Sequence, residues 1–583
     1  MVSPIEEELI NTEHNNSLFE AEVRKLPLLA YSIFKKGNQV APADFKETKI
    51  ALNSCNEPSF KEAFSDLLKS PSVILEAVKS LAPPILNKRV AVLFSGGPAA
   101  GGHNVILGIK NVLGKDNILY GIKGGPKGLL DGNLFEIKDE DLNRVTNLGG
   151  FDFLGSDRTK IKSKEQFEKV REVVKKFHLN GLIIIGGDDS NTNAAFLAEY
   201  LYADGCAVVG VPKTIDGDLQ IGAILPISFG FDTATKVYAE LVGNILQDTP
   251  SSRKYWHFIK LMGRSASHVA LEVALQTKPA ITFISEEVEE AKITLSQIID
   301  ILAKTILARA AKSINHGAVL VPEGLIEFIP DLKDLIKELN DLFGKYQIEL
   351  DKLDLAKKVD FASGKLTNEA LLVFNILPFE IKKMLVMDRD SHGNLQVSKI
   401  PTESLLIEMV EKRISEIQAD PKKIIELNLE CDREDLVKVQ EFRFNHISHF
   451  FGYEGRCGVP TKFDATYTYN LGLIAGSLAI KGKTGYMAAF TDLASGGKAL
   501  AIPLAALLNS EIRQGKEEFV IEKALVKTNS PAFQFFKERR DAWAKEDCFA
   551  SPGPRQLWGP TANQMPFTVI LNQGYQELDF TVK

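Results

Sequence analysis

Several patterns that would place this chain in a specialised class of proteins are missing from it. The cysteines are five in number, scattered and without a C-x-x-C pair: Cys55, Cys206, Cys431, Cys457 and Cys548. Such a set argues against a disulfide framework or a structural zinc site and favours a reducing compartment. No apolar run approaches a membrane span, and residues 1–16 are acidic without the apolar stretch of a signal peptide. We therefore expect a cytoplasmic protein with no membrane partner.

The chain also lacks an excess of positive charge. Its formal net charge is −7, which argues against a nucleic-acid partner but permits local basic pockets for phosphates. The glycine-rich segment at residues 95–104 does not match the Walker pattern G-x-x-x-x-G-K-[ST]. The hydrophobic content of 45% and the charged content of 25% are ordinary for globular proteins. A length of 583 residues is too great for one core, so two or more domains are expected.

The most informative stretch is residues 210–218, GVPKTIDGD. Residues 207–211 predict a short buried strand that Pro212 ends, and open α/β sheets bind ligands at the carboxyl ends of such strands. Asp216 and Asp218 follow on an irregular loop. One carboxylate there can take a proton from a substrate hydroxyl, while its neighbour holds a metal or a basic group. The alternative is a turn with two solvated aspartates.

A glycine-rich turn follows an earlier apolar strand, in residues 89–104. Gly96 and Gly97 let the backbone approach an anion, and the free N–H groups of the helix predicted over residues 105–113 favour negative charge. A purely structural turn is the alternative.

A third segment, residues 181–192, joins an isoleucine-rich run to two aspartates. The run predicts a central parallel strand. Asp188 and Asp189 at its end suit Mg²⁺, which often combines one or two carboxylates with phosphate oxygens of a substrate. Alternatively, Asp189 or Ser190 caps a helix over residues 193–201, and one loop can serve both purposes.

Taken together, these three segments resemble the phosphofructokinase family. Further along, residues 262–264 (MGR), 322–324 (PEG) and 452–456 (GYEGR) match the sugar-phosphate side of that family. The resemblance covers roughly residues 89–492, with one long insert. It implies an α/β protein with two doubly wound Rossmann-like domains, an N-terminal helical extension and a helical insert.

Two positions resemble the pyrophosphate-dependent members, and Lys254-Tyr255, MGRSASH at residues 262–268 and GYEGR look like their long form. ATP-dependent members have glycine where this chain has Asp189 and Lys213. A carboxylate 4 Å from an α-phosphate charge would cost about 4 kcal/mol at an effective dielectric constant near 20. Lys213 adds a cation beside the transferring phosphoryl group, where charge stabilisation is the main catalytic factor. One departure is the sequence GGPAAGG at residues 96–102, where long-form members usually read GGQAPGG; it bears on donor affinity.

The resemblance implies reversible transfer of a phosphoryl group from pyrophosphate to the 1-hydroxyl of fructose 6-phosphate, in glycolysis or its reverse. It implies that Asp216 is the base, that Asp188 holds Mg²⁺, and that Gly96 and Gly97 cradle the donor. Asp189 and Lys213 are the other expected catalytic residues. The expected substrate-binding residues are Thr214, Ile215, Asp216, Asp218, Lys254, Tyr255, Met262, Gly263, Arg264, Glu323, Tyr453, Glu454, Gly455 and Arg456. The alternatives are an ATP-dependent 6-phosphofructokinase and a non-catalytic regulatory subunit of a heteromeric enzyme.

The domain boundaries follow from composition and from this resemblance. We expect an N-terminal, mostly helical extension over residues 1–87 and a C-terminal extension over 521–583. A phosphate-donor domain is expected over 88–250, to which the chain returns at about 458–520. A sugar-phosphate domain is expected over 251–330 and about 441–457, interrupted by a helical insert over 331–440. In the family, Lys254 and Tyr255 fall where a neighbouring subunit completes the site, which implies a homodimer or higher homo-oligomer with shared active sites.

Overall fold

The computed structural model describes residues 3, 6 and 17–583, except 53, 70–71, 388–399, 427–432 and 514–515. Most of the predicted acidic N-terminus and part of the predicted helical insert therefore lie outside the described residues. The chain divides into two compact units. Unit 1 comprises Met1–Ala234, Tyr453–Ala524 and Arg555–Lys583, and unit 2 comprises Thr235–Gly452 and Leu525–Pro554. Within the described residues, no helix is long and apolar enough to cross a membrane.

Unit 1 is built on a mixed sheet that has ten strands in the described part of the chain. Its centre is parallel and its two margins are antiparallel, and the central strands are continuous apolar runs because both their faces are covered. In spatial order the strands are Asp44–Ala51, Val73–Val78, Lys498–Pro503, Tyr486–Thr491, Ala207–Pro212, Gly181–Gly186, Arg89–Ser95, Ile118–Ile122 and Leu134–Glu136, with Ser156–Asp157 paired beside Arg89–Ser95.

The register of the central strands aligns the three polar segments found in the sequence. Pro212 pairs with Gly186, and Phe94 pairs with Ile185. The residues that follow each strand are therefore level with one another at the carboxyl edge of the sheet. This alignment places the loops that begin at Gly96, Gly187 and Lys213 side by side.

Helices cover the sheet of unit 1. They are Leu18–Arg24, Pro58–Ala63, Gly102–Leu113, Gly125–Leu130, Asp139–Val145, Lys164–Phe177, Asp188–Tyr200, Lys462–Ile480 and Phe567–Gln573, and Phe231–Ser252 begins in this unit and ends in unit 2. Lys462–Ile480 is buried all round, which suits a helix enclosed by other elements. Two small antiparallel pairs, Lys35–Lys36 with Gln39–Val40 and Leu508–Arg513 with Lys516–Ile521, complete the unit.

The N-terminal region differs from the expected helical extension. It contributes the strands Asp44–Ala51 and Val73–Val78 to the margin of the large sheet. Phe60 and Phe64 from its helical part are fully buried in the core of unit 1. Through these two side chains the region shares the apolar core of unit 1.

Unit 2 contains a smaller parallel sheet of four strands within the described residues. Their spatial order is Ile281–Thr282, Gly317–Pro322, Trp256–Leu261 and His446–Phe451. Its helices are His268–Thr277, Ser285–Glu290, Leu295–Ala311, Leu325–Phe328, Pro330–Leu350, Leu355–Ser363, Asn368–Ile376, Phe379–Leu385, Thr402–Ala419, Pro421–Glu426, Arg433–Glu441 and Pro531–Lys545. With unit 1, this sheet confirms the predicted α/β class with two Rossmann-like parts.

The predicted helical insert is helical where it is described, and it shares one core with the sheet of unit 2. Leu335 and Leu406 are fully buried in the same apolar cluster as Phe258 of the central strand. The C-terminal region is divided: residues 525–554 belong to unit 2 and residues 555–583 belong to unit 1. Phe580 packs against Phe463 and Phe490, which explains why the chain end belongs to unit 1.

Candidate active site

The glycine-rich loop of unit 1 lies directly beneath basic side chains. Gly96 has φ +84°, its N–H donates to the Asp157 carbonyl at 2.9 Å, and its carbonyl accepts from the Ser156 hydroxyl at 2.7 Å. A Cβ atom on Gly96 would lie 3.6 Å from the Lys213 Nζ, and one on Gly97 would lie 2.7 Å from the Arg456 Nη2. The positive φ favours glycine at position 96, and a side chain at position 97 would force the Arg456 guanidinium to shift.

Three cations surround this loop. Besides Lys213 and Arg456, the Arg158 Nη2 would lie 3.6 Å from a Cβ atom on Gly97. The Arg456 Nε is buried and has no hydrogen-bond partner within the described residues. A cavity of about 650 Å³ opens beside the loop and is lined by Gly96, Gly97, Arg158 and Arg456 among others. Clustered cations with an unsatisfied buried N–H are suited to an anion.

Lys213 is the most deeply buried of these cations. Its side chain has 7% relative exposure, and burial lowers the pKa of Lys213 to about 8, against the opposing attraction of Asp216. Lysines are rarely buried without a functional reason, because the desolvation of an ammonium group is costly.

The aspartate loop is held by a short chain of hydrogen bonds. The Thr214 hydroxyl donates to the Asp218 Oδ1 at 2.9 Å and accepts from the Asp216 N–H at 3.0 Å. Gly217 between the two aspartates has φ +75°, a conformation that favours glycine. Asp218 is buried and Asp216 is half-buried. Asp216 is thus the more accessible carboxylate, on a loop that its neighbours fix.

The adjacent Asp188 and Asp189 have different surroundings. Both lie in the first turn of Asp188–Tyr200, whose N-cap is Gly187, so neither Asp189 nor Ser190 caps this helix as the alternative interpretation required. The Asp188 side chain has 19% relative exposure and burial raises the pKa of this carboxyl. The Asp189 side chain is 52% exposed and pairs with Lys160 at 2.7 Å.

Sequence reasoning missed Lys523, which lies among these carboxylates. Its Nζ is 3.3 Å from the Asp218 Oδ2 and 4.0 Å from the Asp188 Oδ2. Burial alone would lower the pKa of Lys523, but the charges of Asp218 and Asp188 raise it above its usual value. Arg158 was missed as well; it directly follows the short strand Ser156–Asp157, which pairs beside Arg89–Ser95.

In unit 2, the predicted sugar-phosphate residues lie at the carboxyl edge of the small sheet. Leu261 pairs with Pro322, so the turns after the two strands are level. The Gly263 N–H donates to the Glu323 Oε2 at 3.1 Å. A Cβ atom on Gly324 would lie 1.9 Å from the Arg264 carbonyl oxygen, so the turns pack on each other. Arg264 is exposed and Met262 is buried.

Lys254 and Tyr255 lie at the opposite, amino edge of the same sheet. They precede the strand Trp256–Leu261, whereas Arg264 follows it. Six residues of strand span about 20 Å. Lys254 is exposed, and its Nζ lies 4.9 Å from the centroid of the Tyr255 ring. The structure therefore does not bring Lys254 and Arg264 of one chain together.

The GYEGR segment contributes to unit 1 from Tyr453 onward. The Arg456 guanidinium lies 5.1 Å from the centroid of the Tyr453 ring, and Tyr453 is 71% exposed. Glu454 is exposed and Gly455 is buried. Within unit 1 the structure brings together the loops of these predicted residues: Gly96, Gly97, Asp188, Lys213, Thr214, Ile215, Asp216, Asp218 and Arg456.

Comparison with known proteins identifies the family of this chain. The model of the family described as "Phosphofructokinase" matches residues 89–355. A "Pyrophosphate--fructose 6-phosphate 1-phosphotransferase" of Treponema pallidum is 47% identical over 82% of this chain and 82% of its own. The chain belongs to the phosphofructokinase family. A protein of the same name from Porphyromonas gingivalis is 45% identical over 81% of this chain and 84% of its own.

A plant relative in this phosphofructokinase set is described as a subunit. The "Pyrophosphate--fructose 6-phosphate 1-phosphotransferase subunit beta 2" of Arabidopsis thaliana is 43% identical over 88% of both chains. Membership confirms the family predicted from the sequence motifs. The individual site residues of this phosphofructokinase stay predictions.

Proposed function

We propose that this chain transfers a phosphoryl group from pyrophosphate to the 1-hydroxyl of fructose 6-phosphate, giving fructose 1,6-bisphosphate and phosphate. The relatives described above carry the name of that activity at 47% and 45% identity. The structural observation that supports it best is the buried Lys213 beside the Gly96 loop, with Asp216 close enough to stabilise its charge. This arrangement offers a cation to a small anionic donor and a carboxylate to its acceptor.

Lys213, Arg158 and Arg456 would bind the pyrophosphate. Their charges surround the glycines that admit an anion close to the backbone. Fixed cations stabilise the charge that builds on the transferring group without needing to reorganise during the reaction. Pro98, which belongs to the Pro98-Ala99-Ala100 departure from long-form members, also lines the cavity.

Asp188 would hold Mg²⁺, which neutralises the charge of pyrophosphate when bound. The residues fit this ion in part: a carboxylate is the hard ligand that it prefers, and Asp188 is held in a helix first turn. Across the described residues no group of three or more His, Cys, Asp or Glu side chains could hold a metal. Pyrophosphate oxygens and water would therefore supply most ligands, as is usual for Mg²⁺.

Asp216 would act as the general base. It would accept the proton of the sugar 1-hydroxyl as that oxygen attacks the phosphorus in line. Thr214 and Asp218 would fix the loop through their hydrogen bonds to each other and to the Asp216 backbone. Exchange of a phosphoanhydride for a phosphate ester leaves a small driving force, so the reaction should run readily in both directions.

Two alternatives receive less support. An ATP-dependent enzyme would have to place an α-phosphate near Asp189, whose carboxylate would repel it. A non-catalytic subunit should have lost its acidic or basic residues, yet Asp188, Lys213 and Asp216 are all present and lie on neighbouring loops. One coupled assay of the purified chain with pyrophosphate and ATP in parallel tests both alternatives. Turnover with ATP alone, or with neither donor, would contradict the proposal.

We also propose that active sites are shared between chains of a homo-oligomer. Lys254 and Tyr255 lie at the opposite edge of the sheet from Arg264. They are therefore too far from Arg264 to bind the same sugar phosphate within one chain. An exposed lysine beside an aromatic ring suits an interface at which the lysine still reaches an anion. The cytoplasmic location stays a prediction.

A further inference from the structure

Lys523 lies outside the sequence motifs described above, and backbone hydrogen bonds hold the chain on both sides of it. It follows the strand Lys516–Ile521, whose last residue donates its N–H to the Thr192 hydroxyl at 3.0 Å. On the other side, the Ala524 N–H donates to the Asp218 carbonyl at 2.7 Å. The backbone is therefore fixed on both sides of Lys523, against the helix that begins with Asp188 and against the aspartate loop.

The Lys523 ammonium lies between two carboxylates of different loops. The distances from its Nζ are 3.3 Å to the Asp218 Oδ2 and 4.0 Å to the Asp188 Oδ2. Asp218 is almost fully buried, with 6% of its side chain exposed, and Lys523 is 39% exposed. Lys523 thus lies within 4.0 Å of both the proposed magnesium residue and its neighbour, and the buried Lys213 also interacts with these two carboxylates.

A free divalent cation that approached Asp188 would meet this ammonium within a few ångströms. Like charges at such distances repel strongly in a partly desolvated site. Pyrophosphate changes that balance because its own oxygens attract both the metal and the lysine. The flexible four-carbon stem of a lysine allows the ammonium to turn from a carboxylate toward a phosphate oxygen.

We propose that Lys523 is a built-in counter-cation that keeps free divalent metal away from Asp188, so that metal enters mainly as its pyrophosphate complex. The proposal rests on the assignment of Asp188 as the metal residue under Proposed function. In this role Lys523 acts through its charge on metal binding at Asp188, and not as a surface charge that stabilises the fold.

A neighbouring ion pair provides the matched control. The Lys162 Nζ lies 3.0 Å from the Glu518 Oε1, on the same terminal strand, and the two side chains are 59% and 35% exposed. Exposed pairs of this kind contribute little. Lys162→Met therefore removes an equal charge from the same region without touching Asp188.

The experiment measures Mn²⁺ binding by electron paramagnetic resonance, with and without pyrophosphate. Lys523→Met should lower the dissociation constant for free Mn²⁺ by at least about tenfold, because one unit charge near a dication is removed. Lys523→Arg, which keeps the charge, and Lys162→Met should bind free Mn²⁺ as the unmodified chain does. Adding Asp188→Asn to Lys523→Met should remove the gained affinity. Circular dichroism checks that each variant is folded, and Lys523→Gln replaces Lys523→Met if the latter does not fold.

The outcomes separate this proposal from the one on which it rests. Equal free-Mn²⁺ affinity in Lys523→Met and the unmodified chain, with pyrophosphate-dependent binding intact, would overturn the role of Lys523. If Lys523→Arg increased the affinity for free Mn²⁺ as much as Lys523→Met does, the proposal would also be overturned, because Lys523→Arg keeps the positive charge. Pyrophosphate-dependent Mn²⁺ binding that survives Asp188→Asn alone would instead contradict the metal assignment.

Discussion

The two units hold their charged residues in different ways. Unit 1 buries Lys213 and Asp218 and surrounds them with opposite charges from its own loops. Unit 2 leaves Arg264 and Lys254 exposed, and the buried Glu323 accepts a backbone N–H from its neighbouring turn. Buried charges that interact with one another are typical of catalytic groups, because burial and nearby charges shift their pKa values. Exposed cations at the end of a strand are suited to binding a phosphate. We therefore expect substitutions in unit 1 to affect turnover and those in unit 2 to affect sugar-phosphate binding.

The largest effect is expected at Asp216. Asp216→Asn removes the proton acceptor, and general-base catalysis is typically worth about 10²–10⁴-fold in rate. We expect kcat to fall by that factor while the KM for fructose 6-phosphate stays within a few-fold. Steady-state kinetics measure both constants, and Asp116→Asn, at an exposed position in unit 1, is the control. A kcat within about fivefold of the unmodified value would contradict the role of Asp216.

Lys213 should come next, with opposite effects on activity and stability. Lys213→Met removes a cation from the donor site, and loss of one such stabilising group costs on the order of 10²–10³-fold in turnover. Because burial lowers the pKa of Lys213 to about 8, the charged form opposes folding at neutral pH. The variant should therefore be more stable at pH 7, by about 1–3 kcal/mol in denaturant unfolding.

Lys213 should also make both the stability and the activity of the protein depend on pH. The groups that act on Lys213 are Asp216, Arg456, Asp218 and Asp188. Its pKa of about 8 in the folded chain lies below the ordinary lysine pKa of 10.5, so the unfolded chain binds more protons between these two values. Lys213 thus makes stability rise with pH across that interval, and kcat/KM for pyrophosphate should fall above pH 8 as the cation is lost. Lys213→Arg should keep kcat/KM level there; a decline unchanged in that variant would assign it to another group.

The sequence predicted that these loops lie side by side because the determinants of their strands are local. Apolar runs between glycines predict the strands that end at Ser95, Gly186 and Pro212, and parallel pairing then brings their loops together. The strand Asp44–Ala51 gave no such signal because it lies at the margin of the sheet, where five of its eight residues are exposed and none is buried. Lys523 could not be found from a motif either. It reaches Asp188 through a contact between segments more than three hundred residues apart, which no local pattern encodes.

Sharing of sites between chains should appear as a smaller but recoverable loss. Lys254→Ala removes an exposed cation and should raise the KM for fructose 6-phosphate about tenfold, in keeping with a charged hydrogen bond. Mixing it with Asp216→Asn gives dimers in which one site carries neither change. Random exchange makes half the molecules mixed, so activity measured at fructose 6-phosphate well below its KM should rise from about a twentieth to about a quarter of the unmodified level. If mass spectrometry confirms mixed dimers and no activity returns, Lys254 does not serve a neighbouring chain.

The smallest effect is expected at Lys160, which pairs with Asp189. The two side chains are 41% and 52% exposed at a separation of 2.7 Å, and exposed pairs contribute about 0–1 kcal/mol. Asp189 should repel an α-phosphate through its own charge, whether or not Lys160 holds it. We therefore expect Lys160→Met to change the KM for pyrophosphate by less than about fivefold and to leave the preference for pyrophosphate over ATP intact. Asp189→Gly combined with Lys213→Gly should instead lower pyrophosphate turnover steeply and permit weak use of ATP. Lys162→Met serves again as the control for loss of a surface lysine. A shift in donor preference beyond tenfold in Lys160→Met would show that this lysine positions Asp189, and that donor choice extends to an exposed ion pair.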